Sequence, residues 1–157
     1  MQIAVERGFE CVQTSAEAIR NDEAATVGTV SPGDVVRQGD LYLVCITGHT
    51  PKKLAPTKER QLAPGTTQGS RHALAGACAI HTAIDAKEVI TTLHKLVPAT
   101  GSVLAIDATA LVGPVFETLG QVEVQHPEHG NRILPEGEWF AVIYQRALAD
   151  EVRRQVD

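Results

Sequence analysis

Along this chain the spacing of apolar residues changes several times, and each change marks an element. In LYLVCIT, Leu41, Leu43 and Cys45 share one face and Tyr42, Val44 and Ile46 the other, so both faces are apolar and the segment predicts a central, covered strand. In QVEVQH, Val122 and Val124 alternate with Glu123 and Gln125, the pattern of a strand with one wet face. From Asp85 to about Val97 the period becomes helical: Val89, Ile90, Leu93, Leu96 and Val97 form one stripe. Asp85 is placed to cap this helix, Glu88 has the capping-box spacing, and Pro98 and Gly101 stop it. The tail ALADEVRRQV spaces Leu148, Val152 and Val156 four apart and pairs Asp150 with Arg154, which predicts a C-terminal helix over about 147–156. Near the start, a short strand or coil from Ile3 to Val12 leads into Thr14-Ser15-Ala16-Glu17, a capping box opening a brief helix to about Arg20.

Turn chemistry separates these segments. Ser31-Pro32-Gly33-Asp34 and Gln38-Gly39-Asp40 are breaks with a strand between them, and residues 48–76, rich in Pro, Lys, Thr, Gly and Gln, form the longest expected loop. Further strands are expected around SVLAID, LVGPVFETL, NRIL and EWFAVIYQR. The HPEHG corner and Pro135-Glu136-Gly137 join the last of them into an antiparallel meander. The expected fold is mainly β (α+β): a single domain over residues 1–157, a small antiparallel β barrel or sandwich with one inserted helix (about 85–97) and a C-terminal helix.

Composition narrows function by exclusion. A chain of 157 residues can bury a core without disulfides or a structural metal, and aromatics at 4% leave that core to aliphatic packing and leave little for a base-stacking platform. A formal charge of -5 disfavours nucleic acid and anionic lipid as partners. Cys11, Cys45 and Cys78 are far apart and form no CxxC pair, so they read as reduced and mostly buried. With no membrane-length apolar run and no signal-peptide pattern at the start, the expected location is the cytoplasm.

The chemistry concentrates in His126-Pro127-Glu128-His129-Gly130. Pro127 suits the second position of a β-turn and Gly130 tolerates positive φ, so the two imidazoles sit at converging ends of one turn. Two convergent imidazoles are half of a site for zinc or another divalent transition metal; His72 is the candidate third ligand, and Glu128, if it faces the same cavity, a further ligand or the candidate general base. Arg71 and Ser70, beside His72, are candidates for binding an anionic ligand, although Gly65 to Ser70 lacks the GK[ST] ending of a phosphate loop. Lys52, Lys53, Lys58 and Arg60 form a basic run, read as a solvated loop, and His49, His81 and His94 have no partner at ligand spacing. A nucleophilic triad built from Ser70, Asp107 and a histidine lacks the GxSxG elbow.

Five motifs in order, Gln38-Gly39-Asp40, Gly69-Ser70-Arg71-His72, His126 to Gly130, Leu134-Pro135-Glu136-Gly137 and Tyr144-Gln145-Arg146, give the chain a family resemblance. It resembles a family of small, uncharacterised, β-rich bacterial and phage-encoded proteins over roughly half its length. Two departures are a single histidine where many members have two in the GHxH-type motif, and residues 77–105, which look like an insertion. The resemblance implies that His72 and the HPEHG turn meet in one β-rich fold, and it implies no substrate. Two functions stand open. The first is a His-lined pocket binding a divalent metal such as zinc and, if catalytic, activating water for hydrolysis. The second is a non-enzymatic binding or assembly module, associated with phage or mobile elements, with a homo-oligomer or another protein as partner and structural histidines.

Overall fold

The computed structural model describes residues 25–63, 72–97 and 109–144, together with the backbone pairing of residues 2–3 and 6–7. The expected helices at 14–20 and 147–156, the strand around SVLAID, and Ser70, Arg71, Asp107 and Cys11 lie outside the described residues. Among the described residues ten strands follow in chain order: β1 (Gln2–Ile3), β2 (Glu6–Arg7), β3 (Ala25–Val27), β4 (Asp34–Gln38), β5 (Leu41–Cys45), β6 (Leu54–Thr57), β7 (Ala73–Ala83), β8 (Val112–Gln125), β9 (Arg132–Leu134) and β10 (Trp139–Tyr144). The helix α1 (Ala86–Leu96) follows β7, and a 3-10 turn (Thr109–Leu111) leads into β8. The strands form one nearly closed, barrel-like sheet, so the mainly β architecture is as expected.

A long hairpin organises the sheet. β8 runs down one side, the chain turns at residues 126–131, and β9 and then β10 return antiparallel to it, β9 against Val122–Val124 and β10 against Val112–Glu117. The meander expected here is therefore two-stranded: LVGPVFETL and QVEVQH are one continuous strand, and NRIL and EWFAVIYQR share one of its edges instead of pairing with each other. Thr118, fully buried, spans the interruption between β9 and β10. Its hydroxyl donates to the Pro135 carbonyl at 2.7 Å and accepts from the Glu138 N–H at 2.9 Å.

The other edge of β8 is taken by β7, antiparallel from Ala73 to His81, with an irregularity after Gly76. This eleven-residue strand, ALAGACAIHTA, has low local β propensity; pairing along β8 holds it extended. The expected loop over 48–76 is likewise shorter than the pattern suggests, because Leu54–Thr57 pairs with β7 as β6, and Gln61 bridges to Ala73. β5 is central, between β4 and β10, as its two apolar faces predict. β3 lies parallel to both β1 and β9, the non-antiparallel part of the sheet.

The core is aliphatic around one aromatic pair, Phe116 and Phe140, with ring centroids 5.5 Å apart. α1 buries Val89, Ile90 and Leu93, each contributing about 1.5–3 kcal/mol of transfer free energy. Asp85 caps it by accepting from Lys87 N at 3.1 Å, whereas the Glu88 carboxylate accepts from the Lys52 and Lys53 backbone N–H groups, pinning the loop before β6 to the helix. Cys45 is buried and Cys78 half-buried, both free thiols, and burial pushes the Cys45 thiol above its ordinary value.

Candidate functional site

Gln38 and Leu41 pair as the last residues of β4 and the first of β5, leaving Gly39-Asp40 as a two-residue hairpin loop. Gly39 has φ of 60°, the positive value that the favoured two-residue hairpin turns require at that position. Side-chain space enforces glycine too, since a Cβ there would lie 2.4 Å from Cδ2 of His129. Arg37 steadies the loop by donating from Nε to the Gly39 carbonyl at 2.6 Å. This tight loop brings Gln38 and Asp40 to opposite sides of one ring, that of His72.

His72 is fully buried and held at both nitrogens. Gln38 donates from Nε2 to the carbonyls of Val124 (2.9 Å) and Gly130 (2.8 Å), so both amide protons are used and Oε1, 2.9 Å from His72 Nδ1, is an acceptor. Nδ1 therefore carries a proton. Across the ring, Nε2 lies 3.0 Å from Asp40 Oδ1. Burial by itself would raise the Asp40 carboxyl, but the hydrogen bond and charge of His72, with lesser help from its own backbone N–H and the charge of His129, outweigh burial and hold it below 3.8. A carboxylate only accepts, so this geometry places Nε2 as the donor to Asp40, and both ring nitrogens are engaged.

The structure brings the rings of His72, His126 and His129 together. The His72 and His126 ring centroids are 4.2 Å apart, those of His126 and His129 4.3 Å, and those of His72 and His129 6.4 Å. His126, 5% exposed, accepts at Nδ1 from the backbone N–H groups of Glu128 and His129, both at 3.0 Å, so its ring closes its own turn. The turn is tied down further where His126 N donates to Asn131 Oδ1 at 3.0 Å and Asn131 Nδ2 donates to Glu123 Oε1 at 2.6 Å. Beneath it, buried Arg132 donates from one terminal nitrogen to the His129, Gly130 and Asn131 carbonyls, and burial lowers its guanidinium pKa.

As a metal centre this donor set fits poorly. Both His72 ring nitrogens are already engaged by Gln38 and Asp40, and His126 Nδ1 is already an acceptor for two amides. Two imidazoles on one tetrahedral zinc, with Zn–N near 2.0–2.1 Å, hold their centroids about 5 Å apart with nitrogens converging; here neighbouring rings lie closer, with their planes tilted by 42° and 31°. Among the described residues no group of three or more His, Cys, Asp or Glu is arranged to hold a metal ion. Glu128 is exposed and joins the cluster through its backbone N–H. Two cavities of about 230 and 420 Å³, bordered by β6 and β7 residues, include none of the three histidines in their walls.

Reading the sequence residue by residue missed Gln38, Asp40, Asn131 and Arg132. The signal was parity: Gln38 follows Val36, and Arg132 precedes Leu134, at inward positions of their strands, where a polar residue must find buried partners. Neither protein-family models, nor curated proteins, nor solved structures yield a match to this chain.

Proposed function

We propose that this chain is a non-enzymatic binding or assembly module in which His72, His126 and His129 brace one corner of a β barrel. The observation that carries this reading is the commitment of both His72 ring nitrogens to Gln38 and Asp40. A catalytic or ligating imidazole needs a nitrogen available to substrate or metal. The QGD, GSRH and HPEHG motifs fit the same reading, because Gln38, Asp40, His72 and His126–Gly130 form one hydrogen-bonded assembly. No helix among the described residues is long and apolar enough to cross a membrane. The proposed setting is the cytoplasm, with a second copy or another protein as partner.

The competing hydrolase reading has one observation in its favour, the convergence of three imidazoles, and one experiment separates the two. Protein purified without chelator is analysed for metal, and its melting temperature is followed with added zinc. The structural reading expects no stoichiometric metal, no zinc-dependent rise in Tm, and lost stability in His72→Ala and His126→Ala in zinc-free buffer. One equivalent of bound zinc, lost in both variants, would establish the hydrolase reading's metal site instead.

A further inference from the structure

The ring of His126 takes the part that an Asn or Asp side chain usually takes in a turn. Its Nδ1 accepts the N–H groups two and three residues on, Glu128 and His129, which is the hydrogen-bond pattern of an Asx turn with a ring nitrogen in place of the side-chain oxygen. The substitution has a chemical consequence. A carboxamide oxygen keeps its lone pairs throughout the physiological pH range, whereas an imidazole nitrogen gives up its in-plane pair when it binds a proton.

We propose that the corner at residues 126–130 is an acid-released latch, closed while the His126 ring is neutral and opened when Nδ1 takes up a proton. This rests on the structural reading of the three histidines. Protonation turns an acceptor into a donor facing two N–H groups, so both turn bonds are lost together. The neighbouring charges add to the effect. From the β4–β5 loop comes Asp40, already paired with His72 just ahead of β7. β4 adds Arg37 at the Gly39 carbonyl, and β8 adds Glu123, engaged by Asn131. The turn itself carries Glu128 and His129, and β9 contributes the buried cation of Arg132, whose Nε has no hydrogen-bond partner among the described residues. With the half-buried Asp40 carboxylate already engaged by His72, a new charge on His126 meets the buried cation of Arg132.

The sign follows. A ring held neutral in the fold contributes stability above the ordinary imidazole value of about 6.5, and that contribution is lost as pH falls below it. Opening also spreads beyond the turn. The Gly130 carbonyl accepts from both Gln38 Nε2 and an Arg132 terminal nitrogen, so moving it loosens the amide that orients His72 and the start of β9.

The test is backbone amide hydrogen exchange at Glu128, His129 and Gly130 between pH 7.5 and 5.5, corrected for intrinsic rates, on samples of measured metal content. Protection at the Glu128 and His129 amides is expected to fall about tenfold or more over this range, with the same midpoint as the His126 Nδ1 ¹⁵N shift in the same samples. In His126→Asn, whose side-chain oxygen makes the same turn bonds without titrating, protection is expected to stay flat. Unchanged protection in metal-free wild-type protein, or a midpoint different from that of Nδ1, overturns the latch and leaves the structural reading standing. An equal loss in His126→Asn also overturns it, while one equivalent of metal in the sample overturns the structural reading itself. The midpoint comparison needs only wild-type protein, so the test holds even if the variant does not fold.

Discussion

Asp40 shows how a single side chain connects local turn geometry to pH. The Gly39-Asp40 loop sets its carboxylate against His72, and the hydrogen bond and charge of that ring lower its pKa in spite of burial. A carboxyl whose folded pKa is depressed contributes stability above its unfolded value, near 3.8, and loses it as pH falls through the lower folded value. Asp40→Asn is accordingly expected to cost about 1.5–3 kcal/mol at pH 7, the worth of a hydrogen bond to a charged group. The difference from wild type should shrink as pH falls from 3.8 through the lower folded value, which urea denaturation at a series of pH values measures. A constant difference across that series would mean that Asp40 acts through packing alone. The histidines were legible from turn chemistry, since Pro127 and Gly130 make His126 and His129 neighbours in any β-turn. Gln38 and Asp40 were legible only as a strand break, because nothing within a few residues of either shows that a ring from thirty residues on will lie between them.

At the scale of elements, the 112–144 hairpin decides where everything else goes. The Asp85 cap of α1 and its stripe of Val89, Ile90 and Leu93 were legible, because helical periodicity and capping are local properties, whereas the Glu88 carboxylate goes to the loop before β6 and not to a capping box. β7 was not. Its Ala- and Gly-rich sequence carries little strand preference, and pairing with a fourteen-residue neighbour supplies what the local pattern lacks. The break between β9 and β10 was read as a turn joining two paired strands; in the fold it is a short interruption in one return path, bridged by Thr118. Thr118→Val keeps the shape of the side chain but leaves the Glu138 N–H and the Pro135 carbonyl without their hydroxyl partner. A loss of about 1–3 kcal/mol is expected, with hydrogen exchange faster at Glu138 than in β5. Faster exchange throughout the sheet would instead make Thr118 a general core residue.

For the whole molecule, a nearly closed sheet brings residues distant in sequence to one corner, and the corner is closed by hydrogen bonds from three segments: the β4–β5 loop, the residue before β7, and the 126–131 turn. The mainly β class was legible from alternating strands and regular turns, with barrel and sandwich both open, while the use of the histidines depends on which nitrogens the assembled fold leaves available. The central claim is that these rings are structural, and the most direct measurement is the ¹⁵N spectrum of the imidazoles at pH 7, before and after one equivalent of zinc. The account predicts that His72 has protons on both ring nitrogens, that His126 has a proton on Nε2 and none on Nδ1, and that zinc changes neither ring. A His72 nitrogen without a proton, shifting when zinc is added, would contradict it.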